Sequence, residues 1–139
     1  MTQIDIATKY YHALYSGEHD IVRSVASSNM VFEDPSAPHE FGIPPQINEL
    51  ETFLKFMKAN LQGKVEIHFS DKYVSNDRVV LIVSTKGTIP ATRVGMGEEG
   101  MVEYTSRGVS VLHVVNGKVK RHTDYFNYPA LASSFKRID

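Results

Sequence analysis

The sequence contains no cysteine among its 139 residues. Disulfides, cysteine-bound zinc, iron–sulfur clusters and thiol nucleophiles are therefore excluded, and the composition fits a reducing compartment. Net charge is also nearly missing. The 15 Lys+Arg and 16 Asp+Glu leave a formal charge of −1, so no strong field draws in nucleic acid or anionic lipid. The first twenty residues lack the basic start and apolar run of about 7–15 residues that mark a signal peptide. No apolar stretch elsewhere approaches the roughly 20 residues needed to span a bilayer. The expectation is a soluble, cytoplasmic protein with no nucleic-acid or membrane partner. Among the six histidines no H-x-x-x-H-type spacing with a carboxylate beside it occurs, so no metal is expected. The chain opens on a helix pattern rather than on a strand with a glycine-rich turn, which argues against nucleotide binding. No cofactor is expected.

The length fits one domain, large enough to bury about two-thirds of the surface that the unfolded chain exposes. Ile4, Ala7, Tyr11 and Leu14 recur at three and four and predict a helix over 2–15, with Tyr10 on the shoulder of the stripe. Ser16-Gly17 ends it. Asp20 reads as the N-cap of a short helix through Ala26, and Val31–Asp34 as a brief extended piece ended by Pro35. The proline-rich stretch Ser36–Pro45 is a loop. Ile47, Leu50, Phe53, Leu54 and Met57 predict a third helix from Gln46 to Leu61.

From Lys64 the period changes to two. Segments 64–74 and 78–89 flank the turn Ser75-Asn76-Asp77, and 101–115 and 118–128 flank Asn116-Gly117, a strong hairpin signal. Pro90–Gly100 reads as a mobile connection or lid, and 129–137 as a last short helix. Helices first and a four-strand antiparallel meander after them imply an α+β fold with helices on one face of a curved sheet.

Several ordered pieces of this chain resemble one family. They are Lys9-Tyr10-Tyr11-His12-Ala13-Leu14, Ser16-Gly17-Glu18-His19-Asp20, Phe32-Glu33-Asp34-Pro35 with Gly42, Ile89-Pro90-Ala91-Thr92, and Val114–Val119 leading to His122-Thr123-Asp124-Tyr125-Phe126. Together they resemble the nuclear-transport-factor-two-like superfamily, most closely its SnoaL-like polyketide-cyclase branch, as one domain over 1–139. The resemblance implies a cone-shaped (cystatin-like) α+β fold, in which three N-terminal helices close the concave face of a curved antiparallel sheet over a deep pocket. It also implies a homodimer through the outer sheet face. Members include cyclases, ketosteroid isomerases, epoxide hydrolases, dehydratases and binding-only proteins, so fold alone does not assign function.

On the last strand, alternation puts Lys118, Lys120, His122, Asp124 and Phe126 on one face and Val119, Arg121, Thr123 and Tyr125 on the other. The resemblance turns the first set toward the pocket. His122 and Asp124 stand two residues apart, roughly 6–7 Å at the strand rise, close enough to share a substrate or a water. Asp124 falls on the catalytic aspartate of the cyclase and epoxide hydrolase branches; the alternative is a structural Asp paired with His122.

Asp34 falls where the ketosteroid isomerase branch carries its base, and Tyr10 matches that branch's oxyanion-stabilising tyrosine. The neutral acid that completes that oxyanion site is replaced by Ser110. Asp34 also fits a purely structural turn before proline. Of the epoxide hydrolase relay only Asp124 survives, since Phe32 replaces its tyrosine, Asp34 its asparagine, and Val83 and Thr85 stand where its arginine and aspartate should project. Phe32, Phe53, Phe56, Met57, Phe69 and Phe126 are candidates for an apolar lining that binds substrate, beside Ser110. His39, in the loop over the mouth, and His12 on the first helix are open to contact with a ligand but read more often as surface or capping residues, and His68 and His113 as facing away from the cone.

On 101–115, Met101, Thr105, Val109 and Val111 oppose Tyr104, Ser106, Gly108, Ser110 and Leu112, and both sets are largely uncharged. A sheet with two such faces must cover the second, which self-association would do. Two functional readings follow. One is a cofactor-independent acid/base enzyme of cyclase or isomerase type that abstracts a proton next to a carbonyl of a small, mostly apolar, polycyclic or aromatic substrate. In it Asp124 is the base, His122 its partner or the acid, and Tyr10 and Ser110 face the developing negative charge. The other is a small-molecule-binding or accessory domain that uses the same cone without chemistry.

Overall fold

The computed structural model describes residues 1–39, 42–61 and 63–138. Glu40 and Phe41, within the expected proline-rich loop, lie outside the described residues.

Helix α1 spans Gln3–Ser16. Thr2 and Asp5 close a reciprocal capping box at its start, and Gly17 ends it in the left-handed region at φ 75°. Its inward side buries Ile6, Ala7, Tyr10, Tyr11, Ala13 and Leu14. Tyr10 is thus fully buried rather than at the edge of the stripe. Helix α2 covers His19–Val25, and its N-cap is Glu18, which makes no side-chain cap. Asp20, expected at that position, lies inside the first turn and pairs with Arg23 at 2.8 Å.

The brief extended piece expected at 31–34 is longer, because the chain turns from α2 straight into strand β1, Ala26–Glu33. The third helix starts later than its periodicity suggests. Gln46–Asn48 form a short strand, β2, antiparallel to β1 with Ile47 opposite Phe32. Glu49 at φ 74° then breaks direction, its amide donating to Met30 O at 3.0 Å, and helix α3 runs over Leu50–Asn60. Ile47 satisfies a helical spacing and a strand equally well, and the open edge of β1 decides between them.

The hairpins fall where the turn chemistry places them. Strands β3 (Val65–Ser75) and β4 (Arg78–Pro90) join through Asn76 at φ 54°. Strands β5 (Met101–Val115) and β6 (Lys118–Phe126) join through Asn116 and Gly117 at φ 52° and 75°, the paired positive values that a type I′ turn requires. The 90–100 connection contains a 3₁₀ helix at Ala91–Val94. Arg93 ties it to the end of α3, donating to Ala59 O at 3.1 Å and to Asn60 Oδ1. The last helix, α4, occupies only Tyr128–Ser134, capped by Asn127; Lys136–Ile138 then pair with β5 as β7.

The sheet has seven strands in the order β2-β1-β6-β5-β4-β3, with β7 beside β5. Its β3–β6 part is the expected antiparallel meander, but β1 joins β6 in parallel, with Phe32 level with His122. Helix α1 lies across β3 to β6, α2 and α3 rest on β1, and α4 packs on β5. This is an α+β fold whose helices cover one face of a curved, unclosed sheet.

One irregularity controls what the last strand presents. Val119 pairs with Val114 and Arg121 with His113, so Lys120 is an extra residue, a β-bulge. The bulge shifts the alternation by one. Val119 points into the core while Lys118 and Lys120 do not, contrary to the simple alternation. Beyond the bulge the inward set is His122, Asp124 and Phe126, as expected.

Candidate active site

A cavity of about 260 Å³ lies between the sheet and the helices. Its apolar wall includes Phe32, Phe53, Phe56, Met57 and Phe126, and its polar lining includes His122, Asp124 and Asp34. Phe32 and Phe53 stack at 4.5 Å between ring centroids, and both set an edge-on contact with the His122 ring, at 5.1 and 5.8 Å. Phe69, expected in the lining, instead packs against Tyr11 and His12. A larger open hollow of about 670 Å³ sits at the corner between α1 and α2 and shares Tyr15, Met57 and Leu61 with the cavity. It contains neither Asp124 nor His122.

His122 and Asp124 are not merely neighbours on a strand. Their side chains lean together until His122 Nε2 lies 2.7 Å from Asp124 Oδ1, with His122 fully buried and Asp124 6% exposed. On the other side of the ring, Tyr10 Oη lies 2.8 Å from Nδ1. Burial first, and the Asp124 charge second, push ionisation of Tyr10 well above the ordinary phenol range. Its proton therefore stays on and is donated to Nδ1, which places the imidazole hydrogen on Nε2, where it is donated to Asp124. When the ring takes a second proton, Nδ1–H donates to Tyr10 Oη, and Met30 Sδ at 3.9 Å accepts the phenol hydrogen. Both protonation states of His122 keep their partners.

Asp124 is held from a second direction. Ser110, opposite it in the β5–β6 register, donates to Oδ1 at 2.6 Å. Ser110 Oγ in turn lies 3.0 Å from Tyr11 Oη. Since the single serine proton goes to the carboxylate, Tyr11 donates to Ser110. Burial, followed by phenol neighbours and Asp124, keeps Tyr11 and Tyr15 protonated well above the usual range. Two hydroxyls, Tyr11 and Ser110, thus lead to Asp124, and the Tyr15 ring, which lines both hollow and cavity, packs on Tyr11 at 5.0 Å between centroids. Both of the carboxylate's donors fall on Oδ1. Among the described residues none reaches Oδ2.

Asp34 is engaged differently. Oδ1 accepts from Ser36 N at 3.1 Å and Ser36 Oγ at 2.6 Å, and Oδ2 accepts from Tyr128 Oη. Ser36 Oγ also accepts from Phe126 N at 2.9 Å, so this cluster pins the loop after β1 to the end of β6. Burial and donation to Asp34 push Tyr128 ionisation far up. Both oxygens of Asp34 are occupied, as a chain-turning aspartate requires.

The structure therefore brings Asp124, His122, Asp34, Phe32, Phe53, Met57 and Phe126 to one cavity. Tyr10 and Ser110 are not in its lining. They stand behind it, against His122 and Asp124, rather than facing a ligand. The hydroxyls that do line it are Tyr15, Thr85, Tyr104, Ser106 and Tyr128. Of these only Thr85 is expected near the site, among the positions of the epoxide hydrolase relay; the inward alternation that Ser106 shares with Ser110, and the helical spacing of four from Tyr11 to Tyr15, could have marked two of the others. His12, His39 and His68 are exposed, and His113 lies on the outer face, 4.0 Å from Asp77. Among the described residues no group of three His, Asp or Glu side chains could hold a metal, and no helix is long and apolar enough to cross a membrane.

No curated protein matches the sequence. Solved structures do. A protein from Shewanella putrefaciens CN-32 named SnoaL-like polyketide cyclase superposes with a TM-score of 0.84 at 17% identity, over 96% of both chains. An LEH-like epoxide hydrolase from M. tuberculosis gives 0.72 at 14%, over 94% of this chain and 86% of that one. A Bacillus subtilis protein named isomerase gives 0.70 at 22%, over 96% and 95%. Identities this low show a shared fold alone. The family model for the SnoaL-like domain matches residues 7–122, ending two residues before Asp124. The chain belongs to the SnoaL-like domain family.

Proposed function

We propose that the protein is a cofactor-independent general acid/base enzyme of cyclase or isomerase type, with Asp124 as its base. The observation that carries the reading is the asymmetry of that carboxylate. Ser110 and His122 fix Oδ1, and Oδ2 is left without a donor among the described residues, on a residue that lines a mostly apolar cavity. In the proposed step, Oδ2 takes a proton from a carbon next to a carbonyl, and the C–H electron pair becomes the enolate. The proton then returns to another carbon, or the enolate carbon bonds to the carbon of a second carbonyl of the same molecule, whose C=O π pair becomes an alkoxide that takes the proton back from Asp124. A positioned base of this kind contributes about 10²–10⁴ in rate. His122 and Tyr10 hold the carboxylate's geometry and can absorb a proton without stranding a buried polar atom. Between the two aspartates the reading takes Asp124, because every oxygen of Asp34 already has a donor.

The substrate class is a small, mostly apolar carbonyl compound, and the protein is taken to be a cytoplasmic homodimer. What supports the dimer is the outer sheet face, where Val80 pairs with Val111 and Ile82 with Val109, beside a half-exposed Tyr125. The test of catalysis needs no prior substrate. A panel of bicyclic ketones, including 1-tetralone and 2-tetralone, is incubated with protein in D₂O, and hydrogen–deuterium exchange beside the carbonyl is followed by NMR. Wild type should accelerate exchange, and Asp124→Asn should fall about 10²-fold or more toward the buffer rate. Equal exchange in the variant overturns the role of Asp124. A ligand retained in the cavity with no exchange across the panel favours the binding-domain reading.

A further inference from the structure

The cavity has a second polar pole that the proposed step does not use. Thr85 on β4 and Ser106 on β5 face each other in register, and their hydroxyls are hydrogen-bonded to one another. They are 6% and 8% exposed, and both line the cavity. Two hydroxyls carry two protons, and their mutual bond uses one. Among the described residues no acceptor takes the other. Tyr104, two residues from Ser106 on the same inward face, also lines the cavity, and its hydroxyl bonds no described residue. A surplus donor buried this deeply is costly unless something accepts from it.

This cluster lies at a distance from Asp124. Ser106 is four residues along β5 from Ser110, the partner of Asp124, which is about 13 Å of strand at the usual rise and less across the concave curve. Phenylalanine and methionine side chains fill the wall around both. The volume of about 260 Å³ falls just below the roughly 300–1,000 Å³ usual for ligand clefts, which limits the ligand to a small molecule of roughly bicyclic size.

We propose that the Thr85–Ser106 hydroxyl pair is a ligand-anchoring subsite that donates a hydrogen bond to an oxygen at the end of the ligand remote from Asp124. The ligand class is then an elongated, bicyclic-sized, largely apolar molecule with an acceptor oxygen at its far end. This names a substrate feature for the cavity of the acid/base reading and rests on that reading only for the role of Asp124.

The test uses two probes of equal shape, 2-naphthonitrile and 2-ethynylnaphthalene. Both lack an acidic hydrogen beside a carbonyl, so no turnover enters, and only the nitrile accepts a hydrogen bond. Wild type should bind the nitrile roughly five- to tenfold more tightly, the ratio that one hydrogen bond supplies. The bound nitrile stretch should move to higher wavenumber, as it does on accepting a hydrogen bond. Thr85→Val combined with Ser106→Ala should erase both the preference and the shift while leaving alkyne affinity within twofold, which also reports that the cavity is intact. If the double variant does not fold, nuclear Overhauser contacts in wild type decide: the ring protons beside the bound nitrile should contact the Thr85 methyl, and contacts to His122 in their place overturn the proposal. The proposal is overturned by equal affinities in wild type, by a preference that survives the substitutions, by a shift lost in Tyr104→Phe alone, or by no binding of either probe. The deuterium-exchange experiment can fail while this one succeeds, and the reverse.

Discussion

Replacing Tyr10 by Phe removes one oxygen from a fully buried ring and nothing else, so its consequence can be worked from the geometry. The phenyl ring keeps the packing, and the edge contact with His122 at 5.6 Å survives. What is lost is the donor to Nδ1 at 2.8 Å. Nδ1 then becomes an acceptor with no partner on a residue that is 0% exposed, and an orphaned buried polar atom costs about 1–3 kcal/mol. At about 2.1 cal/mol/K per residue the unfolding entropy of this chain is near 0.29 kcal/mol/K, so that cost lowers Tm by roughly 3–10 °C. Scanning calorimetry and urea unfolding of wild type and variant provide the measurement, with an unchanged m-value showing that the same surface unfolds. Nitrogen NMR of the His122 ring adds a second readout, since in wild type Nδ1 should appear as the unprotonated, hydrogen-bonded nitrogen. A Tm within 1 °C of wild type, or a neutral ring with its one hydrogen on Nδ1, would refute the assigned direction of the Tyr10–His122–Asp124 chain.

Two further outcomes follow from the same structure. Tyr10, Tyr11, Tyr15 and Tyr128 are held protonated far above the ordinary phenol range, chiefly by burial. Because the unfolded chain ionises near pH 10, their stabilising contribution is complete below that pH and is lost as pH rises beyond it. An absorbance titration at 295 nm should therefore leave four of the seven tyrosines silent until the fold is lost, whereas reversible ionisation of all seven with native circular dichroism would contradict the buried network. For the outer face, Val109→Lys places a charge amid Val111, Ile82 and Tyr125 and should turn a sedimenting dimer into a stable monomer with unchanged helix content. A wild-type monomer at micromolar concentration removes the dimer.

Local chemistry determined much of this protein before any tertiary contact was known. The Gly17 stop and the Asn116-Gly117 turn act through backbone preferences of adjacent residues, so the end of helix α1 and the β5–β6 hairpin are legible as written. The change of period at Lys64 likewise announces the meander, and alternation alone puts His122, Asp124 and Phe126 on one face. The absences of cysteine and of net charge limited the chemistry to oxygens and imidazoles.

Other features depend on partners remote in sequence. Gln46–Asn48 become a strand because β1 offers an open edge, and Lys136–Ile138 because β5 does; no periodicity within either segment carries that information. The bulge at Lys120 reverses which lysine and valine side chains face inward, since the register of a neighbouring strand sets it. In the site, the sequence placed Asp124 and His122 two residues apart, but only packing against Phe32 and Phe53 closes them to a hydrogen bond. Tertiary structure alone moves Tyr10 and Ser110 behind the acid pair, commits Asp34 to holding a loop, and brings Thr85 against Ser106. Side-chain hydrogen bonds form between groups far apart along the chain, and their directions follow from which protons are already spent.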